Sequence, residues 1–325
     1  MTVGIAQNDL ERLRLPVIGA PMFLCSGPDL VIAQSRAGIC GTFPALNARR
    51  SVDLDDWLTR IDDELTDSGG RRPYGVNLIL YKSNERLAPD LDVITRHRVP
   101  LVITSLAAPT DIVGRVHEYG GMVFHDVTTV RHARKAAQAG VDGLILVCAG
   151  AGGHGGSLNP FAFVVEVKRF FSGRIILAGT IGNGADIVAA QALGCDLVYM
   201  GTRFLVAEEC MANIGHKEMV IDADASSIVY TPRFSGVHAN YLRESIVAAG
   251  LNPDACDADA RADFRPGKDK PKAWKDICGA GQGVGTIDAV EPVSVIVDRL
   301  AREYSATRDR LMESQAQDGA ENVHA

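Results

Sequence analysis

The sequence predicts an α/β fold, a (β/α)8 TIM barrel, and three observations carry that prediction. Short apolar runs alternate with helical patterns from residue 16 to about 205, giving eight strand-helix units. The runs are near-continuously apolar, the mark of strands covered on both faces. The polar and glycine-bearing positions fall just after the runs, where the C-terminal face of a barrel carries its site. A doubly wound open sheet is the competing architecture, and eight units exceed its usual five or six strands, roughly counted.

The units follow in order. Residues 16–22 (PVIGAPM) are the first strand, followed by a helix over 29–37. Residues 40–45 are the second, before the amphipathic helix 54–65 and a turn at Ser68, Gly69 and Gly70. Residues 74–80 (YGVNLIL) are the third, with helix 85–96; residues 100–106 (PLVITSL) the fourth, with helix 111–119. Residues 122–127 are the fifth, with helix 130–139 stopped at Gly140; residues 143–149 the sixth, with helix 161–171. Residues 174–180 (RIILAGT) are the seventh, with helix 185–193 ending at Gly194, and residues 197–205 (LVYMGTRFL) are the eighth.

The pattern then changes. Helical pieces at 211–223 and 240–249 flank a charged stretch at 254–275, which predicts a mostly helical insertion over 211–274 covering the barrel mouth. Residues 1–210 and 275–325 are left as the barrel, with 288–304 as its eighth helix and a charged tail after Ser305 that frays.

At 325 residues, with 46% hydrophobic and 22% charged residues, the composition is that of an ordinary globular chain. A net charge of −7 argues against nucleic acid and anionic membranes as partners, since both attract basic patches. Seven scattered cysteines without a CxxC pair, and no secretory pattern over residues 1–10, lead us to expect a reducing cytoplasm. No apolar run reaches the ~18 residues of a membrane span. The sequence leaves homo-oligomerisation open.

Residues 147–156 (VCAGAGGHGG) place five glycines in seven positions around one imidazole, His154. Glycine loses more backbone entropy on ordering than any other residue, so this density implies backbone lying against something flat or phosphorylated. His154 is a candidate general base, the alternative being a loop histidine bonded to backbone. Two turns, Gly179-Thr180-Ile181-Gly182 and Gly201-Thr202, follow strands seven and eight, the usual phosphate position of a barrel. Neither GxxxxGK[ST] nor a helix-opening GxGxxG is present, so the phosphate points to flavin mononucleotide (FMN) or a sugar phosphate rather than ATP or NAD.

Asn77 interrupts an apolar strand and needs partners there, a ligand ring or a neighbouring strand. His125 and Asp126 end strand five, and Asp126 is a candidate to orient an imidazole or bind a ribityl hydroxyl. Cys25 and Cys148 read as small buried hydrophobes. His216, His238 and Tyr241 are candidates within the insertion, weighed against packing roles. Without HExxH, paired ligand spacing or a carboxylate cluster, no catalytic metal is expected.

With PVIGAPM, YGVNLIL, AGAGGHGG, ILAGTIGNGADIVAAQALGCDLVYMGTRFL and GAGQGVG in this order, the chain resembles the nitronate monooxygenases (2-nitropropane dioxygenases), FMN-dependent TIM-barrel enzymes. The resemblance implies that Ala20, Pro21, Met22 and Asn77 lie along the flavin ring. It implies that Gly179, Gly182, Gly201 and Thr202 hold the phosphate, and that Gln282 and Gly283 close over the cofactor. Asp126, Gly152, Gly153, Ala178 and Thr180 complete the cofactor-facing set. His154 is then the base toward a nitroalkane, or a hydrogen-bond partner of the nitronate, which O2 and FMN convert to a carbonyl compound and nitrite. The chain departs from many relatives in carrying Asp126 where they have a lysine beside the flavin pyrimidine, with Lys82 a candidate substitute. An NAD(P)H-dependent FMN reductase of quinones or enoyl thioesters, and a flavin-free barrel binding a sugar phosphate, are the competing functions.

Overall fold

The structure is a computed structural model that describes residues 10–68, 70–81, 83–255 and 271–321, with side chains as far as residue 313. Eight parallel strands form one sheet: β1 (Val17–Gly19), β2 (Gly41–Pro44), β3 (Tyr74–Leu80), β4 (Leu101–Leu106), β5 (Met122–Val127), β6 (Gly143–Val147), β7 (Arg174–Ala178) and β8 (Leu197–Met200). Each pairs with its successor from β2 to β8, and β8 pairs with β1 in the register Ile18 opposite Tyr199. The ring closes at a single bridge between Ile18 and Cys40, where the Gly19 N–H donates to the Cys40 carbonyl at 2.8 Å.

Between the strands run α1 (Pro28–Ala37), α2 (Ser51–Leu65), α3 (Leu87–Arg96), α4 (Thr110–His117), α5 (Val130–Gln138), α6 (Pro160–Lys168) and α7 (Gly184–Leu193). Their ends carry the expected chemistry. Pro28 opens α1, Asn183 and Asp186 form a reciprocal cap on α7, and Gly38 and Gly194 close α1 and α7 at φ of 94° and 97°, where a Cβ is strained. The last helix, α11 (Val293–Glu321), packs between α7 and α1 and so takes the eighth barrel position.

Strand side chains alternate with period two, and the two faces build two cores. Val17, Val76, Val102, Val123, Leu144, Leu177 and Val198 point out under the helices. Ile18, Leu101, Ile103, Met122, Phe124, Ile145, Ile176 and Leu197 fill the barrel interior. Continuing this alternation one step past the apolar filling puts Asn77, Ser105, Asp126, Val147, Ala178 and Tyr199 in the topmost inward layer. All six line one cavity.

Two elements differ from the sequence expectation. The run 197–205 is not one strand: it ends at Met200, and α8 (Thr202–Leu205) turns away, burying Arg203, Phe204 and Leu205. The insertion carries helices α9 (Ile214–Asp222) and α10 (Arg243–Ala248) as expected, but between them lies an antiparallel hairpin, β9 (Ile228–Thr231) and β10 (Ala239–Leu242). Residues 240–242 are therefore strand rather than helix, because β10 pairs on its other side with Gly153–His154. Residues 256–270 of the charged stretch and Lys82 lie outside the described residues. Among the described residues no helix is long and apolar enough to cross a membrane.

Candidate active site

The cavity occupies about 800 Å³ at the carboxyl ends of the strands, a size typical of ligand pockets. Its floor is the topmost barrel layer. There the Asn77 amide donates to the Ser105 hydroxyl at 2.8 Å, and Ser105 donates to Asp126 Oδ2 at 2.6 Å, linking β3, β4 and β5. The chain of bonds stops at Asp126: its Oδ1 is buried without a partner among the described residues, and so is the hydroxyl of Tyr199. Two unpartnered polar atoms at the floor of a cavity ask for a ligand that supplies the missing bonds. His125, the neighbour of Asp126, points the other way and bonds Thr104 Oγ1 at 2.8 Å; burial and His132 push its imidazole down to about 4.

Burial pushes the Asp126 carboxyl up to about 7, against the Ser105 hydroxyl, which favours the ionised form. A carboxyl with a folded pKa above its unfolded value stabilises the fold fully below the unfolded value and loses that contribution as pH rises through the folded one. Ligand-free protein is therefore expected to lose thermal stability between about pH 4 and pH 7 from this group, and Asp126→Asn is expected to flatten that decline. Thermal midpoints measured across the pH range check it; an unchanged slope in the variant would place the cost elsewhere.

One wall is the glycine loop with His154, and it is held by the insertion. Ala239 and Asn240 of β10 pair with His154 and Gly153, and the Asn240 amide donates to the Ala151 carbonyl at 2.6 Å. His154 is open to the cavity, with its ring edge-on to Trp274 at 5.2 Å and 86°. Burial lowers its pKa from the ordinary histidine value. Tyr230 and His238 from the hairpin complete this wall, and the Tyr230 hydroxyl donates to the Gly155 carbonyl at 3.1 Å.

The opposite end is backbone. Gly150, Gly179, Thr180, Gly201, Thr202, Gly281 and Gly283 line it, with Thr180 at φ 58° and Gly179 at φ 121°. Three loops meet there: the Gly281 N–H donates to Thr202 Oγ1 at 2.9 Å and the Gln282 N–H to the Gly150 carbonyl at 2.9 Å. No lysine or arginine lines the cavity among the described residues, so an anionic group at this end would be held by N–H dipoles and threonine hydroxyls.

Of the sixteen candidate residues, fourteen line the cavity: Ala20, Pro21, Met22, Asn77, Asp126, Gly152, Gly153, His154, Ala178, Gly179, Thr180, Gly201, Thr202 and Gly283. Two do not. The Gly182 N–H donates to Asp186 Oδ2 at 2.8 Å, inside the α7 cap. Gln282 is exposed, packed by its side chain over Gly150. His216 and His238 also line the cavity, whereas Tyr241 is fully buried behind it. Cys148 is buried, its thiol pushed up to about 12 by burial, as a packing cysteine requires. Tyr199 and Trp274 were not singled out in the sequence; Tyr199 carries the inward alternation of β8, and Trp274 holds φ 71°, unusual for a bulky residue.

Fold and site together define a (β/α)8-barrel protein built to hold a cofactor-sized ligand over the carboxyl ends of its strands. The family model for nitronate monooxygenase matches residues 85–303. The chain belongs to the nitronate monooxygenase family, flavoprotein oxidoreductases of this barrel type. It is 28% identical over 246 residues to the (3aS,4S,5R,7aS)-5-hydroxy-7a-methyl-1-oxo-octahydro-1H-indene-4-carboxyl-CoA dehydrogenase of Mycobacterium tuberculosis, covering 74% of this chain and 66% of the relative. The chain thus spans just under two thirds of that relative's length. It is 26% identical over 279 residues to the nitronate monooxygenase of Paraburkholderia phytofirmans, covering 73% of this chain and 76% of the relative. Among solved structures, FabK from Thermotoga maritima superposes with a TM-score of 0.76 at 25% identity, covering 97% of this chain and all of that one.

Proposed function

We propose that the protein is an FMN-dependent nitronate monooxygenase, oxidising alkyl nitronates, or the nitroalkanes that yield them, with O2 to carbonyl compounds and nitrite. The observation that carries the reading is the placement of His154 on the cavity wall, across from a floor with two unpartnered polar atoms. The residues fit the cofactor. Asp126 Oδ1 and the Tyr199 hydroxyl offer an acceptor and a donor to the polar edge of an isoalloxazine, and the Gly179-Thr180 and Gly201-Thr202 turns offer N–H and hydroxyl groups to its phosphate. One-electron oxidation of the nitronate is the chemistry that FMN supplies when bound. The chain's own part is to seat the substrate against Met22, Trp274 and Val237 and to present a neutral imidazole to its α-carbon.

A reductase of the same fold, taking hydride from NAD(P)H, is the second reading. It is favoured by the relationship to a carboxyl-CoA dehydrogenase. Purified protein given FMN is expected to hold it, to release nitrite from propyl-2-nitronate in air, and to keep its flavin colour when mixed with NADH without oxygen. Rapid anaerobic bleaching by NADH would sink the monooxygenase reading and install the reductase. Failure to bind FMN, with sugar phosphates binding instead, would discard both.

A further inference from the structure

We infer that Ser235, in the turn between β9 and β10, is a positioning residue that fixes His154 as the tautomer protonated on Nε2, leaving Nδ1 as the proton acceptor. The inference rests on the proton-transfer role proposed for His154, and deepens it. His154 Nε2 lies 3.0 Å from Ser235 Oγ, and neither ring nitrogen has another partner among the described residues.

The assignment follows from counting hydrogens. A serine hydroxyl has one hydrogen and two lone pairs. The Ser235 hydrogen goes to the Val237 carbonyl at 2.9 Å. One lone pair takes the hydrogen of the Tyr241 hydroxyl at 3.1 Å. Only a lone pair remains for His154, so the hydrogen in that contact has to come from Nε2. In a neutral imidazole the other nitrogen is then the acceptor, and the bond made by one nitrogen sets the role of its partner.

The geometry keeps this choice in place. Tyr241 is fully buried between Phe234, edge-on at 5.1 Å and 87°, and Trp274, at 5.0 Å and 33°. Trp274 in turn abuts the His154 ring. The backbone of His154 pairs with Ala239, so imidazole, serine and tyrosine all hang from one three-stranded sheet. An alternative in which Ser235 donates to His154 would strip the Val237 carbonyl of its bond and put the proton on Nδ1. The hairpin thus supports the base from behind, at residues that do not themselves line the cavity.

The test reads the tautomer directly, by nitrogen-15 NMR of the histidine side chains in the full chain, with His154 assigned by its loss in His154→Gln. The expected wild-type signature is a protonated Nε2 and a bare Nδ1. Ser235→Ala, at a half-buried position that tolerates the change, is expected to give a mixture of tautomers. It is also expected to lower kcat/KM on a neutral nitroalkane several-fold, because only the fraction of molecules with a bare Nδ1 is competent to take the proton. Turnover of a preformed nitronate stays near the wild-type rate, and Ser235→Thr, which keeps the hydroxyl, restores both signals. A wild-type proton on Nδ1, or a tautomer unchanged in Ser235→Ala, overturns the inference. A correct tautomer with nitroalkane turnover unmoved in both Ser235→Ala and His154→Gln overturns the proton-transfer role, and leaves the tautomer assignment standing.

Discussion

His154→Ala is expected to lower kcat/KM on neutral nitroalkanes by about 10²- to 10⁴-fold, the range that a positioned general base contributes. Preformed nitronates have already lost the α-proton, so their oxidation is expected to fall far less. Nitrite release from the same nitroalkane supplied in both forms measures the difference. Equal losses would assign His154 to orienting the substrate. The pH dependence carries a sign: burial lowers the His154 pKa, so its neutral, basic form persists below the ordinary histidine range, near ~6.5. The acid limb of the nitroalkane profile is therefore expected below that value in wild type, and absent in the alanine variant. Asp126 also faces the cavity, with a carboxyl pushed up to about 7. A limb near that value which survives His154→Ala but disappears in Asp126→Asn belongs to the carboxyl.

The barrel and most of its mouth can be read from the chain because period-two alternation is local. In YGVNLIL, once Val76 and Leu78 are assigned to the outer core, Asn77 has to face inward. The same logic separates His125 from Asp126, which the sequence presents as a pair. Tyr199 obeys it too, but an aromatic between Val198 and Met200 carries no mark that distinguishes a floor hydroxyl from packing. What joins distant segments cannot be read this way. His154 meets Ser235 across 81 residues, and the hairpin that brings them together overrides the helical pattern at residues 240–242.

The glycine loop shows the same limit. A Cβ on Gly150 would lie 2.3 Å from Thr180 Oγ1, one on Gly152 2.9 Å from the Gly281 nitrogen, and one on Gly156 2.4 Å from the Val147 carbonyl oxygen. Much of that glycine density therefore serves close internal packing, against backbone at Gly152 and Gly156 and against the Thr180 and Gln282 side chains at Gly150. At those three positions close packing within the protein is by itself enough to require glycine.

Glu291→Ala is expected to destabilise the protein by about 3–5 kcal/mol, because it strands a buried guanidinium. Arg203 is only 2% exposed and finds its carboxylate in Glu291, at 3.3 Å from Nη2, while its Nη1 has no partner among the described residues. Glu291 also takes a bond from Arg299 at 2.5 Å, so the carboxylate ties the end of β8 to the segment leading into α11. The reverse deletion is not equivalent. Arg203→Met removes the buried guanidinium itself and leaves Glu291, which is partly exposed, paired with Arg299, so no buried charge is stranded and a smaller loss is expected. The consequence reaches the cavity through Thr202, which precedes Arg203 and anchors the Gly281 N–H. Loosening α8 is therefore expected to weaken FMN retention in Glu291→Ala, and much less in Arg203→Met. Thermal midpoints with and without FMN, and flavin retained through gel filtration, read both effects. Equal losses in the two variants would mean that the volume of the Arg203 side chain, rather than its compensated charge, holds the strand end in place.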